Sequence, residues 1–205
     1  MAAVPGDASD ETLMVRYQRG DRGAFTVLVR RHHRGLYNFV LRQLRLPTLA
    51  EEVTQDVFLR VVQNASEYKQ EARFVTWTYA IARNLCVDHL RKLAHRRHPS
   101  LEQPLGPADD ARSLGDVVAS KRVDGDAERA TAALQIRATL IQAVETLPED
   151  QREVYLLREL GNLSFKEIAE VTGVAENTAK SRMRYALDRL RTSLADYEEY
   201  ARALR

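Results

Sequence analysis

The chain has a single cysteine, Cys86, among 205 residues, so no internal disulfide framework is open to it. Nine glycines and six prolines are too few for a β-rich or low-complexity protein. No apolar run approaches the roughly 20 residues needed to span a bilayer. Residues 1–10 show neither a cluster of positive charge nor an apolar stretch of the secretory kind, so a soluble protein of the cytoplasm is expected. Net charge is only +2, which excludes a polycation that coats nucleic acid along its whole length. Catalytic signatures are missing as well: there is no G-x-x-x-x-G-K-[ST], no H-E-x-x-H and no G-x-S-x-G. Enzymatic turnover is not expected. Cys86 and His89 lie three residues apart, but they need two more ligands, and recruiting His95 and His98 would demand an unusual bend. No metal or other cofactor is expected.

What the chain does have is helical periodicity, with a hydrophobic content of 44% to fill cores. Phe25, Leu28, Val29, His32, Leu36, Phe39, Val40 and Leu44 recur at i, i+3, i+4, i+7 spacing and predict a helix over about 22–45. Pro47 ends it, and Thr48 with Glu51 reads as a capping box for the next helix, whose buried side is Val53, Val57, Phe58, Val61 and Val62. Phe74, Trp77, Ile81 and Leu85 predict another over about 72–93, and a short helix around Glu11–Arg19 leads the group. Composition changes between Pro99 and Gly125. Pro99, Pro104 and Pro107 fall here with Gly106, Gly115 and several aspartates, a mixture that cannot bury enough apolar surface to fold. Periodicity resumes at about Ala127 with Leu134, Ala138, Ile141 and Val144. Pro148 then opens a new helix with acids in its first turn. The expected architecture is all-α: a helical domain over 1–98, a flexible acidic linker over 99–126, and a second helical domain over 127–205. Relaxed, the linker spans roughly 30 Å, and taut at most about 90 Å.

Two stretches carry the chemistry. Ser164 through Leu190 has the pattern of a helix-turn-helix: a Ser164–Glu167 capping box, a turn at Thr172-Gly173-Val174, then a basic helix. That helix puts Ala179, Met183, Ala186, Leu187, Leu190 and Leu194 on one stripe, with Lys180, Arg182, Arg184, Arg189 and Arg191 mostly outside it. A helix that packs with one face and offers cations on the other suits a major groove. The second basic stretch, Trp77–His98, sets Arg83, Arg91, Lys92, Arg96 and Arg97 against one acid, Asp88. Arg83, Asn84, Val87, Asp88 and Arg91 share a face opposite Ile81 and Leu85. Their spacing assigns Phe74 and Trp77 to the core and leaves Tyr68 and Tyr79 open between core and base stacking. His32 and His33 read as one packed and one solvated imidazole.

These residues resemble the extracytoplasmic-function (ECF) group of bacterial RNA polymerase sigma factors. The matching segments are Ala50–Phe58, Trp77–Arg91 with its Ile-Ala-Arg-Asn run, and Leu147-Pro148 through Arg191. The resemblance implies three working surfaces. Glu52, Gln55, Asp56 and Phe58 match the segment that docks on core RNA polymerase. Arg83, Asn84, Asp88, Arg91 and Lys92 match the helix that reads and melts the −10 element, and the Ala65–Arg73 loop, with Tyr68 and Lys69, matches the one that captures a flipped base. Asn177, Thr178, Lys180, Ser181, Arg182, Arg184 and Tyr185 match the recognition helix for −35 duplex. Promoter DNA, core polymerase and an anti-sigma factor are the implied partners, the last able to hold the chain at a membrane. Ala179 stands where Val is common in the family, Tyr185 where a basic residue is frequent, and Thr78 where Leu is common. The alternative is a stand-alone helix-turn-helix regulator with a sensor domain, which the helical pattern of residues 10–96 does not favour.

Overall fold

Helix ends explain why the periodic segments stop and start where they do. A computed structural model describes residues 8–96 and 127–195, and among these every regular element is helical. Helix α1 (Asp10–Gln18) begins at Ser9, whose hydroxyl accepts the Thr12 N–H, with Asp10 and Glu11 at its positive end. Asp21 caps α2 (Arg22–Leu44) by accepting from the Ala24 N–H at 3.1 Å. Arg45, in the left-handed region at φ 59°, closes that helix. Helix α3 (Pro47–Gln63) starts on proline, which needs no donor at that position. The expected Thr48–Glu51 capping box does not form. Because the helix begins before Thr48, the cap position falls to Leu46, which offers no side-chain acceptor. A 3-10 turn, Ala65–Glu67, precedes α4 (Phe74–Arg96), and Glu11 of α1 accepts the Phe74 N–H at 3.1 Å.

The second unit comprises α5 (Ala127–Thr146), α6 (Glu149–Glu159), α7 (Phe165–Thr172) and α8 (Glu176–Ser193). Ser164 and Glu167 form the reciprocal capping box in full, and Gly173 ends α7 at φ 72°. A residue with a side chain is strained at that φ, and space is not the reason: a Cβ there would meet nothing within 4 Å. The linker 99–126 and the tail Tyr197–Arg205 lie outside the described residues, as do the side chains of Arg96 and Arg97.

Two apolar clusters hold the molecule. The smaller joins Leu13, Met14, Leu28, Val61 and Phe74 across α1–α4. The larger begins with Leu36, Phe39, Val57 and Tyr79 in the first unit and continues without a break into Leu157, Leu163, Ile168, Ala179 and Met183 of the second. Fully burying a side chain of this size contributes about 1.5–3 kcal/mol. The two units therefore share a core, which a flexible-tether reading of the sequence does not anticipate. Trp77 sits at the edge of the smaller cluster, half-buried against Tyr68 and Phe74.

Candidate nucleic-acid interfaces and docking surface

Helix α8 presents one face inward and the other outward. Ala179, Met183, Ala186 and Leu190 are buried against α6 and α7. Asn177, Thr178, Lys180, Ser181, Arg184 and Tyr185 are exposed, and together they make a continuous polar and cationic surface. Lys180 pairs with Glu176 at 2.6 Å one turn back, and the Arg184 guanidinium lies over the Tyr185 ring, 5.1 Å from its centroid. Arg182 is less free, held by Asp150 of α6 at 3.1 Å. Leu187, expected in the buried stripe, is 44% exposed. It falls one position past Ala186, and a 100° step swings it off the packed face.

Helix α4 offers Asn84, Asp88, Arg91 and Lys92 to solvent, but Arg83 is engaged. Its Nε donates to Glu153 of α6 at 3.0 Å. Two to three turns earlier, Thr76 donates to Glu167 at 2.5 Å and Arg73 approaches the same carboxylate at 3.4 Å. Burial pushes the Glu167 carboxyl up, but hydrogen bonds from Thr76 and Ser164 and the charge of Arg73 outweigh it and hold the group at about 2. Burial, with the Glu153 charge added, pushes the Cys86 thiol to about 12, so it is inert at neutral pH.

The loop before α4 is fixed from behind. Gln18 donates to the Ala65 and Tyr68 carbonyls at 2.7 and 2.9 Å, and the Tyr68 hydroxyl donates to the Ala72 carbonyl at 2.9 Å. Tyr68 is buried, packed on Phe74 and Trp77, and burial next to Glu11 and Asp10 raises its phenol to about 12. Lys69 and its neighbours through Arg73 are exposed instead. Tyr68 is thus a support for the loop and does not offer its ring to an incoming base. Tyr79, the other open case, is also in the core, edge-on to Phe39. His32 bonds Asp10 at 2.7 Å, while His33 is exposed.

On α3, Glu52 and Gln55 are exposed and Asp56 is partly so. Phe58, expected on this surface, faces inward against Phe25 and His33. It lies beside Val57 on the side of α3 that packs on α2. The apolar residues at the surface are Leu59 and Val62, 56% and 39% exposed, extending the stripe of Glu52, Gln55 and Asp56 by one and two turns. Val62, expected on the buried side, is thus at the surface, since its apolar character at helical spacing matches that of core positions, and no pattern in the sequence marks Leu59. Among the described residues no group of His, Cys, Asp and Glu is placed to hold a metal ion, and no helix is long and apolar enough to cross a membrane.

Comparison with known proteins places the chain in a family. The description Sigma-70 region 2 matches residues 28–96, and Sigma-70, region 4 matches residues 137–190. The chain is 32% identical over 183 residues to the RNA polymerase sigma-H factor of Pseudomonas aeruginosa, covering 88% of this chain and 92% of that protein. It is 31% identical over 175 residues to the ECF RNA polymerase sigma-E factor of Escherichia coli, covering 85% and 88%. Among solved structures, the sigma factor RpoE of Bartonella quintana in complex with the anti-sigma factor NepR superposes with a TM-score of 0.61 at 20% identity, covering 83% of this chain and 96% of that one. CnrH in complex with the cytosolic domain of CnrY gives 0.61 at 21% identity, covering 93% and 99%. Two sigma regions in order, joined to an all-helical fold, define the class as a transcription initiation factor. The chain belongs to the RNA polymerase sigma factors, within their ECF group.

Proposed function

We propose that this chain binds core RNA polymerase and directs it to specific promoters, with three surfaces in separate roles. Helix α8 enters the major groove of the −35 element through Asn177, Thr178, Lys180, Ser181, Arg184 and Tyr185, with Arg182 joining once released from Asp150. Helix α4 reads and melts the −10 element through Arg83, Asn84, Asp88, Arg91 and Lys92, and the loop carrying Lys69 receives a base swung out of the stack. Helix α3 docks on the polymerase through Glu52, Gln55 and Asp56, with exposed Leu59 as the apolar contact beside them.

The observation that carries this reading is the pair of solvent-facing polar helix surfaces, on α4 and α8, within the two matched sigma regions. Neither has enough cations for tight duplex binding alone, so affinity is modest and salt-sensitive until the polymerase holds both. The chain supplies no catalysis of its own, and the polymerase makes the RNA. Its setting is the bacterial cytoplasm, and an anti-sigma factor is its regulator, in keeping with the two fold neighbours solved in such complexes. Gel filtration of the chain with purified core enzyme tests the docking surface. Wild type is expected to co-elute, and Asp56→Arg to lose binding by about 100-fold as a charge is reversed at a desolvated contact. Undiminished co-elution of that variant would remove α3 from the proposal.

A further inference from the structure

Helix α1 carries none of the residues assigned above to DNA or polymerase, yet two of its side chains reach the base-capture loop. Gln18 donates to the Ala65 carbonyl at 2.7 Å and the Tyr68 carbonyl at 2.9 Å, where the loop begins. Glu11 accepts the Phe74 N–H at 3.1 Å, where the loop ends and α4 starts. Glu11 and Gln18 lie two turns apart, so they share a face of α1 and stand about 10 Å from each other along its axis. One helix thus grips both ends of a loop whose middle, residues 69–73, stays exposed.

Helix α1 is itself held firmly. Leu13 and Met14 are buried in the smaller core cluster with Leu28, Val61 and Phe74. Asp10 binds His32 and Arg31 of α2, each at 2.7 Å. At the other end Gly20, at φ 100°, turns the chain, and Arg16 donates to Asp21 through Nε and Nη2 at 2.9 and 2.6 Å. Asp21 in turn caps α2. Gln18 therefore stands on a fixed base, although the residue itself is exposed. Two hydrogen bonds from an exposed residue add only modestly to the stability of the whole chain, so their consequence is local shape. Shape matters at this loop. Taking a base out of the stack is costly, and contacts in the receiving pocket have to repay it. A loop ordered in advance loses no conformational freedom when the base arrives, whereas a free loop would.

We propose that Gln18 and Glu11 are positioning residues for base capture, holding the loop over residues 65–73 in its receptive shape before the −10 strand arrives. This rests on the base-capture role proposed above for that loop. Neither side chain needs to meet DNA. Residues acting in this way change how well a flipped base is told from a missing one, and leave polymerase docking and −35 binding untouched.

The test uses holoenzyme assembled from purified core polymerase and the full chain, with dye-labelled 12-nucleotide non-template strands spanning the −10 block of a promoter it transcribes. Each strand carries either its natural bases or one abasic sugar, stepped through the block. Wild type is expected to bind about 10-fold more weakly when the captured base is missing. Gln18→Leu keeps the bulk of the side chain without a donor. It is expected to bind the natural strand about 10-fold more weakly than wild type does, and the abasic strand equally well. Its affinities for core polymerase and −35 duplex should stay within about two-fold. Glu11→Ala should behave like Gln18→Leu, and Glu11→Gln, which can still accept the Phe74 N–H, like wild type. Gln18→Leu, at an exposed position, carries the measurement alone should Glu11→Ala lose helical circular dichroism. Unchanged binding of the natural strand by Gln18→Leu, or an equal loss on natural and abasic strands, overturns the positioning role. A wild type that binds every abasic strand as well as the natural one overturns the base-capture reading instead. The grip of α1 on the loop is then still read from amide exchange at Phe74, expected about 10-fold faster in Glu11→Ala.

Discussion

Helices α4 and α8 are both cationic, and both sit in sigma regions, yet the molecule treats them differently. Three positions on α4, Thr76, Tyr79 and Arg83, meet acidic helices of the other unit or the turn between them, and the exposed Arg73 just before α4 approaches Glu167. On α8, among the described residues, Arg182 alone is paired with an acid of another helix, and Asn177, Thr178, Lys180, Ser181, Arg184 and Tyr185 face solvent. The difference lies in what backs each helix. Small and apolar residues at positions 179, 183, 186 and 190 sink α8 deeply on one side, leaving the opposite side clear. Helix α4 is wrapped further round, with Phe74, Thr78, Ala82, Leu85 and Cys86 buried in addition to the covered stripe. A helix buried on two sides keeps less of its surface for a partner than one buried on a single side.

The largest effect should come from the core that joins the two helices. Ile168 is fully buried behind α8 within the shared cluster, and Ile168→Ala is expected to cost about 2–5 kcal/mol. Scanning calorimetry should show one transition moving as a whole; a second transition left at its original temperature would mean that the units melt independently. Next comes the division of labour. Arg184→Ala is expected to weaken −35 duplex binding by about 1–3 kcal/mol while leaving core binding intact. Asn84→Ala should spare duplex binding and reduce promoter melting instead, read by permanganate reactivity. Equal loss of both activities in both variants would erase the distinction between the helices. Ser164→Ala removes one half of the α7 capping box and should cost about 1 kcal/mol, measurable by urea unfolding.

The smallest effect is one of pH. Glu167 is held at about 2, below the ordinary 4.5, so its charged form contributes stability that is complete above pH 4.5. That contribution fades as pH falls toward 2. Thermal midpoints of wild type should therefore fall more steeply across this window than those of Glu167→Gln. Parallel curves would remove the carboxylate from the interface.

Most of the fold was legible because it is written in local terms. Periodic apolar positions gave the helices, Gly173 and the Ser164–Glu167 pair gave the helix-turn-helix, and these are encoded within a few residues of each other. Thr48–Glu51 misled because the same spacing occurs inside the first turn of a helix that begins on Pro47. Sites were legible in residue type but less so in facing. Phe58 and Tyr68 match the family pattern, yet each lies in the core, where an aromatic ring next to other rings is more stable than in water. Leu59 shows the reverse, an apolar residue left outside. The contact of Glu153 with Arg83 was not legible, because it joins positions 70 residues apart through no local pattern.

The central claim is that two helices on one chain read two separate DNA elements when the polymerase holds them. Run-off transcription by purified core enzyme plus this chain, on a genomic fragment library with the start sites sequenced, tests it most directly. Promoters sharing two sequence blocks at a fixed separation are expected, with transcripts absent when the chain is omitted. A single palindromic site bound tightly by the chain alone, with no transcripts beyond those of core enzyme, would contradict it.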